Sequence, residues 1–147
     1  MDYPHAPTPS FLFDLDGTLI DSVYQHVIAW RAALTAIGID LSVWRIHRRI
    51  GMSGGLFVQA LLRETGRSLS AADIEELQSA HAAEYRKQMG SVTALPGARE
   101  LLAALSGAGV RWGIATSPDA PLLKLSAVEE KLAPCMSPGH SPRCHNL

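Results

Sequence analysis

Two short apolar runs, one at each end of residues 10–116, predict two buried strands. Residues 10–14 form a short apolar run that ends in Asp14, and Gly17 follows soon after, which predicts a strand entering a tight turn. Residues 110–116 form a second such run, directly after a predicted helix over 98–107. A helix that leads straight into a strand favours an α/β core with a parallel sheet.

Between these runs the apolar spacing is helical. A stripe at alternating spacings of four and three predicts a first helix, with Ser22 and Gln25 as a capping box and Gly38 as its stop. The stripe consists of Val23, Val27, Trp30, Leu34 and Ile37. Further helices are predicted over about 42–49, 55–65 and 70–89, the last opened by Ser70 with Asp73.

These elements predict four regions. Residues 1–9 form a flexible, proline-rich leader, and residues 10–20 with 94–117 form the α/β core. Residues 21–93 form a helical insertion between the two core strands. Prolines punctuate residues 118–147, which are expected to be an atypical, disordered tail.

Composition narrows the class of protein. The formal net charge is −1 and 47% of the residues are apolar, so no excess of positive charge points to nucleic-acid binding. No apolar run reaches the roughly 20 residues of a membrane span, and two cysteines do not make a disulfide framework. A cytoplasmic protein without nucleic-acid or membrane partners is expected, and its oligomeric state is left open.

Asp14 and Asp16 are the strongest chemical feature of the sequence. They follow a predicted strand and precede Gly-Thr, which is the usual place for an active site in an α/β protein. Two carboxylates there suit nucleophilic and proton-transfer chemistry, and their oxygens suit Mg²⁺. Taken alone, an Asp-x-Asp pair also fits a surface turn, a helix start or the metal site of a nucleotide-sugar transferase.

The run Phe-Leu-Phe-Asp-Leu-Asp-Gly-Thr-Leu-Ile-Asp-Ser at residues 11–22 resembles the first signature of haloacid-dehalogenase-superfamily phosphatases. By that resemblance Asp14 attacks phosphorus and becomes a phosphoaspartate. Asp16 protonates the leaving alcohol and then activates water. The Asp14 carboxylate and the main-chain carbonyl of Asp16 hold Mg²⁺, and Gly17 and Thr18 bind the substrate phosphate.

Ile114-Ala115-Thr116-Ser117 resembles the family's second signature, in which Thr116 and Ser117 bind phosphate oxygens. Between the two signatures, Leu95-Pro96-Gly97-Ala98 is similar to the segment through which the chain of family members re-enters the core after the cap. The resemblance covers about residues 10–117 and implies a partial Rossmann-like core with an α-helical cap, as in phosphoglycolate-phosphatase-like and β-phosphoglucomutase-like members.

The cap sets the substrate in such enzymes, and the residues expected to do so here are Arg45, Arg49 and Ser53, although basic residues on a helix are also commonly a solvated face. His26 and His81 are expected to lie on a helix surface or to pack rather than to act as catalysts. The implied function is a Mg²⁺-dependent phosphatase for small phosphate monoesters of the sugar-phosphate or phosphoglycolate type, and a phosphatase is favoured over a mutase.

The sequence departs from the family pattern after Ser117. A third signature with a lysine commonly followed by proline, and a fourth with paired acidic residues after a strand, have no counterpart in residues 118–147. We therefore expect a truncated, frameshifted or alternatively ended product whose first strand has an exposed edge. Alternatively, the chain is a truncated, non-catalytic fragment of such a protein, whose function, if it has one, is to bind a partner.

Overall fold

The computed structural model describes residues 10–52, 54–115, 132 and 144–145, with Gly54 and the last two residues described by their backbone alone. Five helices and five strands fall within these residues. The strands are β1 (Ser10–Asp14), β2 (Ile20–Asp21), β3 (Thr93–Ala94), β4 (Arg111–Ala115) and β5 (Cys144–His145). The helices are α1 (Val23–Ala36), α2 (Val43–His47), α3 (Gly54–Thr65), α4 (Ala71–Gln88) and α5 (Ala98–Gly107), and a 3₁₀ turn covers Met89–Ser91.

β1 and β4 form the parallel pair that the sequence predicts. Their register runs from Ser10 beside Arg111 to Asp14 beside Ala115, so both strands end at the same edge of the sheet. β5 adds in parallel on the far side of β4, which gives the order β1-β4-β5. The predicted fold class, an α/β core with helices between its strands, is confirmed.

The prediction that the first strand is buried is wrong, because four of its five residues are exposed and Phe13 is only partly buried. Phe11 is 48% exposed and Leu12 is 54% exposed. Within the described residues β1 has a strand partner on one side only, and α5 packs against β4. The expected exposed edge of the first strand is therefore present among the strands that are described.

A short antiparallel ribbon joins the chain segments that enter and leave the helical block. β2 pairs with β3, with Ile20 beside Ala94 and Asp21 beside Thr93. The Leu95 amide donates to the Leu19 carbonyl at 2.9 Å, which extends this contact. The ribbon therefore holds the two ends of the segment 21–93 next to each other.

The buried apolar residues form two separate clusters. One belongs to the helical block and is centred on Trp30, Leu34, Ile46, Phe57 and Leu77. The other surrounds the sheet and includes Leu15, Leu19, Ile20, Val92, Ala98, Leu102, Ile114 and Leu132. Burial of this many aliphatic side chains removes enough apolar surface from water to hold each cluster together.

The two predicted capping boxes have different outcomes. At α4 the Ser70 hydroxyl accepts from the Asp73 amide, and the Asp73 carboxylate accepts from the Ser70 amide, so this box is confirmed. At α1 Ser22 is the N-cap residue, but its hydroxyl makes no capping hydrogen bond. The box predicted there is wrong because the Ser22 hydroxyl bonds to Asp16 instead.

The predicted disordered tail lies mostly outside the described residues. Three of its residues are described. Leu132 is fully buried in the cluster around the sheet, and Cys144–His145 form β5 beside β4. Among the described helices, none is long and apolar enough to cross a membrane.

Candidate active site

Asp14 is the last residue of β1 and lies where the carboxyl ends of β1 and β4 meet. Its side chain is exposed, and within the described part of the chain its carboxylate has no hydrogen-bond or ion-pair partner. A carboxylate that has no partner can attack an electrophile. The position predicted for the nucleophile is therefore open to a ligand.

A tight turn directs the chain from Asp14 to α1. The amides of Thr18, Leu19 and Ile20 all point to the Leu15 carbonyl, at 3.3, 3.0 and 3.2 Å. The Gly17 amide donates to the Ile20 carbonyl at 2.9 Å, and Thr18 is exposed at the tip. This arrangement buries Leu15 and leaves the residues expected to bind phosphate at the surface.

Gly17 is required by the shape of this turn. Its φ is +74°, a conformation that costs a residue with a side chain about 1–2 kcal/mol. A Cβ at this position would also lie 2.8 Å from Cγ2 of Val23, at the start of α1. Glycine therefore lets the loop after Asp16 approach the first helix closely.

The Asp16 carboxylate makes two polar contacts through one oxygen. The Ser22 hydroxyl donates to Oδ1 at 2.7 Å, and Nε2 of His26 lies 3.3 Å from the same oxygen. The side chains of His26 and Asp16 are 12% and 17% exposed, and Ser22 is fully buried. Asp16 thus has a fixed orientation beside the exposed Asp14.

His26 continues into a stack of aromatic rings between α1 and α4. Its Nδ1 lies 3.2 Å from Nε2 of His81, and its ring stacks on Tyr85 with centroids 4.0 Å apart and planes 8° apart. His81 in turn stacks on Trp30 at 4.0 Å, and Trp30 stacks on Phe57 at 4.4 Å. Asp16 is therefore connected to the core of the helical block.

Tyr85 carries a buried hydroxyl beside this network. The residue is 2% exposed, and no hydrogen bond to its oxygen meets strict geometry among the described residues. Burial, followed by the negative charge of Asp16, raises the pKa of Tyr85, while the neighbouring Ser22 hydroxyl opposes the shift. The phenol therefore stays neutral and contributes no charge to the site.

The donor set at this edge fits Mg²⁺ with few protein ligands. The described residues contain no group of three or more histidine, cysteine or acidic side chains that could hold a metal ion. Mg²⁺ commonly keeps several waters and binds one or two carboxylates together with substrate phosphate. The exposed Asp14 carboxylate fits that pattern, whereas Oδ1 of Asp16 is engaged by Ser22 and His26.

The cap residues expected to contact substrate are held by an acidic partner. Arg45 Nε lies 3.2 Å from Glu64, and Arg49 pairs with the same carboxylate while also donating to the Arg45 carbonyl at 2.7 Å. Glu64 on α3 therefore offsets part of the positive charge of both. Ser53, Thr116 and Ser117 lie outside the described residues.

Sequence reasoning missed the role of Ser22 and His26 at the site. Ser22 was expected to cap a helix and His26 to pack, yet both contact Asp16. The available signal was their spacing of four, which puts both on one face of α1. His81 and Tyr85 repeat that spacing on α4 and meet them.

Comparison with known proteins agrees with the fold. The family model for haloacid dehalogenase-like hydrolases matches residues 9–134. Hexitol phosphatase A of Escherichia coli strain K12 is 32% identical over 116 residues, which are 78% of this chain and 50% of that protein. The phosphoglycolate phosphatase of Agrobacterium fabrum is 32% identical over 114 residues, 75% of this chain and 48% of that protein.

A crystal structure of a hydrolase from Pseudomonas syringae is also similar. It is 50% identical, with a TM-score of 0.76, and the match covers 82% of this chain and 56% of that chain. The chain therefore belongs to the haloacid dehalogenase-like hydrolase family, and its fold is a partial Rossmann-like core with helices between the first two motifs. It spans about half the length of the curated relatives it matches.

Proposed function

We propose that this chain carries the nucleophile and the cap of a Mg²⁺-dependent phosphatase that hydrolyses small phosphate monoesters through a phosphoaspartate on Asp14. The observation that carries the proposal is the exposed Asp14 carboxylate at the end of β1, next to an Asp16 carboxylate held in a fixed orientation. Relatives named as hexitol and phosphoglycolate phosphatases support a sugar-phosphate or phosphoglycolate type of substrate. Membership in a hydrolase family favours this function over that of a binding module.

In the first step an oxygen of Asp14 attacks phosphorus, and the bond from phosphorus to the leaving oxygen breaks. The protonated Asp16 gives its proton to that oxygen, so the product leaves as a neutral alcohol. Gly17 and Thr18 lie in the turn between the two carboxylates and α1 and form the phosphate-binding loop of the proposal. Their amides donate to the carbonyls of Ile20 and Leu15, so the Thr18 hydroxyl is the group that contacts phosphate.

In the second step a water molecule attacks the phosphorus of the phosphoaspartate. Asp16 takes the proton of this water, the bond between phosphorus and Asp14 breaks, and inorganic phosphate is released. Asp16 ends the cycle protonated, as it began. Bound Mg²⁺, held by the Asp14 carboxylate and the Asp16 carbonyl, would neutralise charge on the transferring group.

The rest of the site follows from the same proposal. Residues 21–93 act as the cap over the core of residues 10–20 and 94–117, and the β2–β3 ribbon is the hinge. Arg45, Arg49 and Ser53 contribute to substrate choice, and Thr116 and Ser117, which follow β4 in the sequence, bind phosphate. Both arginines pair with Glu64, so a substrate must compete with the Glu64 carboxylate to bind them.

The test is phosphate release from phosphoglycolate and a panel of hexitol and sugar phosphates, with Mg²⁺ and with a chelator. Asp14→Asn should lower kcat about a thousandfold or more, because a nucleophile is lost. Asp40→Asn, a matched change at another exposed aspartate, should leave kcat unchanged. Activity that survives Asp14→Asn contradicts the proposal.

A further inference from the structure

A chain of polar contacts leads from the general acid–base Asp16 into the helical block. Asp16 Oδ1 lies 3.3 Å from His26 Nε2, and His26 Nδ1 lies 3.2 Å from His81 Nε2. His26 comes from α1 and His81 from α4, the two helices with the most extensive mutual contact. The contact between the two histidines is therefore part of the main packing interface of the block.

The rings in this chain have little freedom to turn. His26 stacks on Tyr85 at 4.0 Å, and His81 stacks on Trp30 at 4.0 Å with planes 11° apart. The two imidazoles also lie against each other, with centroids 5.3 Å apart. Stacking restricts the planes of both rings, and the contacts with Asp16 and between the two histidines select the orientation in which nitrogens rather than carbons face each other.

Hydrogen-bond chemistry then assigns the protons. A neutral imidazole has one N–H donor and one bare acceptor nitrogen. An Asp16 oxygen that accepts favours the tautomer of His26 with hydrogen on Nε2, which leaves Nδ1 bare as an acceptor. For the contact at this acceptor to be a hydrogen bond, Nε2 of His81, 3.2 Å away, must carry the hydrogen. The tautomer of His26 is thus set by the hydrogen bond that its other nitrogen accepts.

The two contacts at Oδ1 of Asp16 determine which of its oxygens carries a transferable proton. Ser22 and His26 both donate to Oδ1, so the transferable proton of a protonated Asp16 is carried by Oδ2. If the hydrogen of His26 moved to Nδ1, its bare Nε2 would face the carboxylate and repel Oδ1. The carboxylate would then turn away from its fixed orientation.

We propose that His81 is a positioning residue for Asp16: by donating to Nδ1 of His26 it keeps the Nε2–H of His26 on Oδ1 and so fixes the carboxylate that transfers the proton. This inference rests on the proposed function of Asp16. It assigns to α4 a part in the reaction.

The first test reads the tautomer directly in the full chain without substrate. Long-range ¹H–¹⁵N correlation spectra of histidine-labelled protein at neutral pH distinguish a ring nitrogen that carries hydrogen from a bare one. The wild type should show His26 with hydrogen on Nε2 and a bare Nδ1. A bare Nε2, or hydrogen on both nitrogens of His26, overturns the proposal.

Two variants separate the donor of His81 from its packing. His81→Phe keeps a ring against Trp30 but removes the donor, so His26 should show a mixture of tautomers. His81→Gln places an amide N–H near the same point and should restore the wild-type pattern. His47→Phe is the matched control, because His47 also stacks on a tyrosine, Tyr24 at 5.4 Å, away from Asp16. It should leave the His26 tautomer unchanged.

The second test measures phosphate release by the same proteins. His81→Phe should lower kcat on the order of tenfold with KM within about twofold, and His81→Gln should recover most of the loss, since partners behind a site typically contribute 10–100-fold. Equal activity of His81→Phe and wild type, or no rescue by His81→Gln, overturns the proposal. If His81→Phe does not fold, the wild-type tautomer still decides. If the tautomers behave as expected but the wild type releases no phosphate, the proposed function alone fails.

Discussion

The Gly17→Ala substitution tests how closely the loop after Asp16 approaches α1. Gly17 has φ +74°, and an added Cβ would lie 2.8 Å from Cγ2 of Val23. Gly38 has nearly the same φ, +72°, but nothing lies within 4 Å of its added Cβ. The two glycines therefore share the backbone strain of a substitution and differ only in the steric contact.

The free energies follow from these two terms. Alanine in the left-handed conformation costs about 1–2 kcal/mol. The lower entropy of the unfolded chain returns about 0.4–1 kcal/mol. Gly38→Ala should therefore lower the free energy of unfolding by about 1 kcal/mol. Gly17→Ala should lose about 1–3 kcal/mol more, because an extra carbon is forced into a packed contact.

Urea unfolding of the full chain, followed by circular dichroism, measures both losses. In a Val23→Ala background Cγ2 is absent. There, Gly17→Ala should lose only the free energy of its backbone strain, because its steric loss should disappear. Equal losses for Gly17→Ala and Gly38→Ala refute the reasoning, because the loop would then have room for a side chain.

Three further predictions concern the surroundings of Asp16 and the cap. Ser22→Ala should lower the free energy of unfolding by about 1.5–3 kcal/mol, because the hydrogen bond to Asp16 is lost. A double-mutant cycle with Asp16→Ala should show coupling between the two residues. If the two losses simply add, Ser22 acts only at the start of α1 and not through Asp16. Because burial raises the pKa of Tyr85, the folded chain keeps a phenol proton that the unfolded chain loses above about pH 10, so stability falls as the pH rises beyond that value. As the pH rises above about 10, the urea midpoint of Tyr85→Phe should fall less than that of the wild type. Parallel plots of midpoint against pH for the two proteins would contradict this. Glu64→Gln should change the free energy of unfolding by less than about 1 kcal/mol in the same assay, and a larger loss would show that the paired arginines hold the cap together.

The sequence predicts those parts of the fold that depend on local spacing. The strand ending in Asp14, the helices and the capping box of α4 follow from apolar periodicity and from side chains three residues apart. The parallel pairing of β1 with β4 follows from the helix before β4. Such features need only interactions between residues close in the chain or a rule of connection.

The sequence does not predict features that depend on distant partners. Ser22 has the residue type and position of a helix cap, but its hydroxyl bonds to Asp16. The contact between His26 and His81 exists because α1 and α4 pack together, and no spacing along the chain encodes that packing. Likewise, the apolar character of Phe11 and Leu12 does not show whether a neighbouring element covers them.

Trapping the phosphorylated intermediate tests the central proposal most directly. The full chain is mixed with Mg²⁺ and phosphoglycolate or a hexitol phosphate, quenched in acid within one turnover, digested and analysed by mass spectrometry. The peptide that contains Asp14 should gain the mass of one phosphoryl group, and Asp14→Asn should abolish the gain. A phosphoryl group on any other residue, or phosphate release with no modified Asp14 peptide, would contradict the account.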